Sequence, residues 1–260
     1  MKNVALSCLK AEMQKARNSM ALWLSIVGTI ANLLLFFGLH WAGEAAVGGF
    51  SAQNWGQYVV NHYDGIAFMM LPLYVIILCS LVFLMEYRSQ MWVQLFTLPV
   101  SRWAVYSGKI LFLLILFLGA HLLFILGFLL TGLLFGLLHP GSGFLQQMPP
   151  WLQILELAFR TFLSILGLLG LHTWLSLRFQ HFIVPLLIGI LGYVVTGLLG
   201  PAWPWQFLNP YAPTFLFMPQ YRGELQLPTL GWLSWAEWMS IAFFILFLFL
   251  AYRRLERVLP

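Results

Sequence analysis

The sequence predicts an all-α membrane protein of six transmembrane helices with both termini in the cytoplasm. Three observations predict it. Of the 260 residues, 61% are hydrophobic and 8% are charged, against about 25% charged in a typical soluble domain. Six apolar runs, each close to the ~20 residues that a spanning helix needs, follow one another along the chain. The basic residues fall between alternate runs, so that nearly all of them collect on one side.

The runs lie at about 20–41, 65–85, 110–138, 152–177, 182–200 and 236–252. They leave no room for a separate soluble domain, so 1–260 reads as one transmembrane domain. Lys2, Lys10, Lys15 and Arg17 precede the first run. Arg88, Arg102 and Lys109 join the second to the third, Arg178 the fourth to the fifth, and Arg253, Arg254 and Arg257 follow the sixth. These are 11 of the 13 Lys and Arg residues, and their side is the cytoplasm. The net charge of +5 therefore belongs to inner loops, and a nucleic-acid surface is not expected.

The opposite face holds Glu44, Asp64, Glu224 and Glu237, with Arg222 as its cation. It also holds Trp41, Trp55, Trp151, Trp203, Trp205, Trp232, Trp235 and Trp238, which read as an aromatic belt at headgroup level. Residues 40–64 are Gly-rich, with room for a short interfacial helix. Residues 201–235 carry six prolines but also many aromatics. That mixture predicts an external, partly re-entrant segment of broken helices packed on protein. Residues 1–19 mix Lys and Arg with Glu12 and read as a cytosolic amphipathic helix, not a cleavable signal peptide. Cys8 and Cys79 form no CxxC pair and read as structural.

No P-loop, HExxH, GxSxG or GxGxxG pattern occurs. Neither an enzymatic site nor a cofactor is expected in the chain, and any energy comes from an ion gradient or another polypeptide. The most informative stretch is 86–109, between the second and third runs. It starts with Glu86 and Arg88 at the membrane exit. Met91, Trp92, Leu95 and Phe96 then share an apolar face. Pro99 breaks that helix, Ser101 suits the N-cap of the next, and Arg102 and Lys109 lead into the following run. The pattern predicts a helix lying across the cytosolic surface, shaped to dock on a soluble partner.

Two stretches carry a family resemblance. Glu86, Trp92, the run Thr97-Leu98-Pro99-Val100-Ser101-Arg102 and Lys109 resemble ABC-2 type permeases. Residues 9–23 resemble the start of the bacitracin- and lantibiotic-export or immunity permeases. The resemblance implies a type V exporter-like topology, with a connecting helix at the N-terminus and a coupling helix in 86–109 that contacts the ATPase. It implies a partner subunit that binds ATP and Mg, a second permease in a homodimer or heterodimer, and a multi-pass position in the bacterial inner membrane among its lipids. The Phe- and Leu-rich runs suit a hydrophobic or amphipathic substrate such as a peptide antibiotic or lipid, and the resemblance favours peptide export or self-immunity.

Other candidates stand beside this one. Glu156 and Arg160, four residues apart near the outer start of the fourth run, are expected to pair. They either lock helix packing or face a cavity and aid substrate release. His121 and His172 raise a haem reading. They lie 12 residues from Lys109 and 6 from Arg178, about 18 and 9 Å along their helices, and that depth mismatch favours interhelical hydrogen bonds. Asp64, His62 and His40 read as a solvated loop. Glycines recurring within the runs read as packing positions or as a sliding seam between permease halves. Two rivals from other classes are a haem- or quinone-binding membrane subunit of a redox complex and an ion-driven secondary transporter. The latter would show inverted repeats, and no internal repeat is visible.

Overall fold

Each of the six apolar runs overlaps a helix among the described residues. The computed structural model describes residues 4–17, 19–42, 54–65, 70–88, 101–139, 144–200, 203 and 205–258. In chain order the helices are α1 (Val4–Ala16), α2 (Met20–Ala42), α3 (Trp55–Gly65), α4 (Leu71–Arg88), α5 (Arg102–Leu138), α6 (Trp151–Phe179), α7 (Ile183–Leu199), α8 (Ala212–Tyr221) and α9 (Trp235–Val258). Among the described residues α5, α6 and α9 are long and apolar enough to cross a membrane. α1 and α2, bent by 70°, count as a fourth crossing if taken as one broken span. α4 and α7 are apolar but shorter.

Local signals account for the boundaries. Ser101 caps α5, its hydroxyl accepting from the Ala104 N–H at 3.3 Å, so the helix starts eight residues before the apolar run does. α6 ends at Gln180 in the left-handed conformation (φ 50°). α7 ends at Gly200, whose φ of 65° suits a residue without Cβ. α3 supplies the short helix expected in 40–64. The 201–235 region contains a 3-10 turn (Gln206–Leu208), α8 and an antiparallel hairpin pairing Thr229 with Ser234 and Leu230 with Leu233. The hairpin was not legible in the sequence; its two-residue turn is Gly231-Trp232, with Gly231 at φ 69°.

α6 is the most enclosed of the three long helices, and its most extensive neighbour is α9. Close approach comes from small residues: a Cβ at Gly170 would lie 3.0 Å from Phe244 Cα, and one at Gly167 3.0 Å from the Ser240 carbonyl oxygen. Ser240 completes the seam by accepting from Gly167 N–H (2.8 Å) and donating to the Ser164 carbonyl (2.9 Å). α2 and α4 pack on α5 and α6 around Val75, Leu78, Phe83, Phe117 and Leu168, all buried.

The outward faces are apolar. On α2, Trp23, Val27, Ile30 and Leu34 form an exposed stripe, while Ala21, Ser25 and Asn32 turn inward. On α5, Leu122, Leu126, Leu130 and Leu137 are exposed in the same way. Such stripes are at home in hydrocarbon, not in water.

Trp151, Trp205, Trp232, Trp235 and Trp238 are exposed, as an interfacial belt requires. Trp55 departs from that expectation. It is fully buried, donates to the Phe144 carbonyl at 2.9 Å and meets Tyr58 and Phe144 edge-on. It holds α3 against α5.

Candidate functional site

Two ionic clusters are buried in this apolar protein. A lone buried ion costs several kcal/mol even after the protein relaxes, so each cluster must be neutralised internally.

The first joins α1, α4 and α5. Lys109 sits two turns into α5, its side chain 1% exposed, and Glu86 near the end of α4 is fully buried. Lys109 Nζ donates to Glu12 Oε2 at 2.8 Å and to Glu86 Oε1 at 3.0 Å. Lys15 donates to Glu12 Oε1 at 3.0 Å and to Glu86 Oε1 at 3.2 Å. Two cations and two carboxylates thus alternate. Lys109 also lies 5.6 Å from the centre of the Phe83 ring. Burial alone would raise the Glu12 carboxyl, but Lys109 and Lys15 outweigh it and hold the group below the ordinary glutamate range. Burial likewise opposes the charge on Lys15, and Glu12 and Glu86 push its ammonium above the usual lysine range. Gly108 makes the arrangement possible, since a Cβ there would meet Cys8 Cβ at 2.8 Å. Without a side chain at that point, α1 lies directly on α5.

Glu86 and Lys109 bracket the segment that sequence analysis singles out. Within it, Met91, Trp92, Leu95, Phe96 and Pro99, and the side chain of Arg88, lie outside the described residues. Arg102 is described. Its guanidinium donates to the Glu256 carbonyl at 3.2 Å, tying the start of α5 to the end of α9. Beside it Trp103 meets Tyr252 edge-on at 5.0 Å, and Tyr106 donates to the Leu248 carbonyl at 2.7 Å. The two ends of the segment are therefore anchored differently: Glu86 inside the protein, Arg102 against the C-terminal helix.

The second cluster is at the other end of the bundle. Glu156 and Arg160 pair as expected, at 3.3 Å. The stronger partner is Glu237 on α9, which accepts from Arg160 Nε at 2.7 Å and Nη2 at 3.2 Å. Glu237 is fully buried and also accepts from the Ser234 N–H at 2.6 Å, which fixes the start of α9. By sequence Glu237 belongs with the outer-face acids; the structure buries it, because Arg160 neutralises it and the backbone completes its hydrogen bonds. The Arg160 guanidinium lies 5.5 Å from the Phe217 ring and 5.9 Å from that of Tyr221, so α8 roofs the cluster. Nearby, Arg222 bonds Asp64 at 2.6 Å and Glu224 at 2.8 Å.

Among the described residues the histidines do not converge. His172 Nε2 on α6 bonds Tyr211 Oη at 3.1 Å, and Tyr211 lies in the turn before α8, so this contact joins a helix to a turn where an interhelical bond is expected. His121 is buried near the rings of Tyr63 and Phe117. His62 Nδ1 bonds its own helix at the Tyr58 carbonyl. The side chain of His40 lies outside the described residues. Among the described residues no three His, Cys, Asp or Glu side chains are grouped as metal ligands.

Neither the burial of Lys109 nor the partner roles of Glu12, Lys15 and Glu237 belong to the expectations from sequence. The available signal was position. Lys109 is the seventh residue after Arg102 on the same helix and precedes an unbroken apolar run, so its charge needs carboxylates from elsewhere in the chain.

Comparison with known proteins bears on the same elements. A search of curated proteins finds no match for the chain. The family pattern of ABC-2 family transporter proteins matches residues 8–196, a stretch that starts within α1, runs through the Glu12–Lys109–Glu86 cluster and ends within α7. The apolar helices make it an integral membrane protein, and with that match over most of its length the chain belongs to the ABC-2 transporter family, as a membrane permease component of an ABC transporter.

Proposed function

We propose that this permease crosses the membrane six times with both termini in the cytoplasm, and that a separate ATP-binding subunit drives it through residues 86–109. The observation that carries this reading is the ion cluster at the base of that segment. Glu86 on α4 and Lys109 on α5, the two helices that flank it, are bonded to each other and both to α1. A push on the segment is then delivered to α1, α4 and α5 together.

In this reading Met91, Trp92, Leu95 and Phe96 face the ATP-binding subunit, with Arg88 and Arg102 at the rim, and Pro99 sets the turn. Glu86 acts from inside, as the anchor. ATP and Mg belong to the partner. A second permease, identical or related, completes the path, and the 201–235 region packs at the outer membrane boundary as a partly re-entrant cap over Arg160. A hydrophobic or amphipathic substrate, such as a peptide antibiotic or a lipid, suits helices this apolar. Export or self-immunity in the bacterial cytoplasmic membrane is the physiological setting that the resemblance of residues 9–23 supports.

The test is coupling in a reconstituted complex. With the ATP-binding subunit present, Trp92→Ala and Arg102→Glu should each lower substrate-stimulated ATPase activity severalfold while leaving assembly of the permease intact. Wild-type stimulation in both variants would remove the segment from the coupling route.

A further inference from the structure

A cavity of about 250 Å³ lies between α2, α4 and α5, walled by Gly28, Ile77, Ala120 and Phe124 and almost wholly apolar. Three polar side chains reach it. Two are already engaged: Thr29 donates to the Ser25 carbonyl at 2.6 Å, and the Tyr74 hydroxyl bonds Ser25 Oγ at 2.7 Å and the Leu116 carbonyl at 3.3 Å. The third is Asn32. It is 5% exposed, and among the described residues neither its amide nitrogen nor its amide oxygen has a hydrogen-bond partner. An unmade hydrogen bond on a buried group costs about 1–3 kcal/mol, so this position is unfavourable unless something completes it.

We propose that the cavity is a binding site for an amide-bearing apolar molecule, one peptide-like unit long, that presents an N–H and a C=O on one side and pairs them reciprocally with Asn32. The chemistry of the orphan selects the ligand. Asn32 offers a donor and an acceptor side by side, and only a group that also carries both completes them together. A primary carboxamide does so in one plane, and so do the N–H and C=O of one residue in an extended peptide, whereas a lone trans secondary amide points the two to opposite sides. The esters and phosphates of membrane glycerolipids accept but do not donate, so they would leave Asn32 Oδ1 unmade. Depth argues the same way. Asn32 is the thirteenth residue of the 23-residue α2, about 18 Å from its start, whereas lipid headgroups stay at the ends of a span. Size agrees as well: an apolar cavity of ~150 Å³ takes a benzene ring, and this one is larger. Gly28 keeps it open, since a Cβ there would meet nothing nearer than Leu24 Cδ1 at 3.9 Å.

The site gives a substrate class to the permease reading and rests on that reading for its physiological meaning, but its test measures binding without the ATP-binding subunit. The chain in phosphatidylcholine nanodiscs is irradiated with N-acetyl-leucyl-(4-benzoyl)phenylalanine amide, and labelled peptides are mapped by mass spectrometry. Labelling should fall within residues 24–32 or 70–77. Asn32→Leu, which removes the pairing, and Gly28→Leu, which fills the space, should each cut the yield at least fivefold, while Leu34→Ala on the exposed face leaves it unchanged. Should Asn32→Leu fail to fold, Gly28→Leu carries the test alone. Unchanged labelling in the folded variants, or equal labelling at this site by a benzophenone phosphatidylcholine, would overturn the proposal. Binding lost with ATPase coupling intact separates this failure from failure of the permease reading, which is coupling lost with binding intact.

Discussion

Lys109 and Glu12, 97 residues apart in sequence, face each other at 2.8 Å with both side chains buried. That contact makes α1 part of the membrane domain's base. With Glu86 and Lys15 it closes a neutral cluster, and neutrality is why four ionisable groups are tolerated inside so apolar a chain. Removing one member exposes the cost. Lys109→Met leaves two carboxylates buried with only the half-buried Lys15 between them. We expect a loss of about 3–5 kcal/mol, the usual effect of breaking a buried pair from one side, read as faster hydrogen exchange across residues 4–16. Adding Glu12→Gln and Glu86→Gln to Lys109→Met should restore part of the protection. Equal exchange in wild type and Lys109→Met would show that the cluster does not hold α1.

The same cluster sets a pH window. Glu12 has its folded pKa lowered, so its stabilisation is complete above the ordinary glutamate value and fades as pH falls through the lower, folded one. Lys15 has its folded pKa raised, so its contribution holds below the ordinary lysine value and is lost as pH rises through the higher one. Exchange protection of α1 should therefore be flat through neutral pH and drop in acid. Glu12→Gln should abolish the acid limb. A limb that persists unchanged in Glu12→Gln would assign it to another group.

At the outer cluster, burial ranks the two glutamates. Glu237→Gln removes a buried bidentate partner of Arg160 and should lower thermal stability by about 3–5 kcal/mol. Glu156, whose side chain is 30% exposed, should cost at most about 1 kcal/mol when changed to Gln. If transport falls in Glu156→Gln at unchanged stability, the pair faces the substrate path. If transport and stability are unchanged in Glu156→Gln, Arg160→Gln and the double variant, the pair has no role.

The α6–α9 seam should not tolerate bulk. Gly170→Ala places its methyl against Phe244 backbone, and overpacking of this kind costs about 1–3 kcal/mol. Gly119, with open space around it, is the control: Gly119→Ala should be neutral or slightly stabilising. Thermal unfolding of the two variants compares them directly.

Helix positions were legible because apolar runs and Ser/Gly punctuation are local signals. Each of the six runs overlaps a helix among the described residues, and Ser101 caps α5 as its sequence context implies. The pairing of Glu156 with Arg160 was legible for the same reason, as an i, i+4 spacing on one helix. What stayed hidden was long-range. Nothing near Glu237 marks it as the partner of Arg160, 77 residues away, and nothing near Glu12 points to Lys109. Trp55 looked like a belt residue because an indole with a polar edge suits both an interface and a core; Phe144 decided between them by offering its carbonyl. Asn32 drew no notice, since one amide in an apolar run is ordinary until its lack of a partner is visible.

The central claim, that residues 86–109 meet the ATP-binding subunit, is tested most directly by contact. A photoreactive benzoylphenylalanine placed at position 92 in the assembled complex should cross-link to that subunit. The same group at Leu130, on the exposed face of α5, should not. An intact complex that cross-links at neither position, or at 130 alone, would contradict the account.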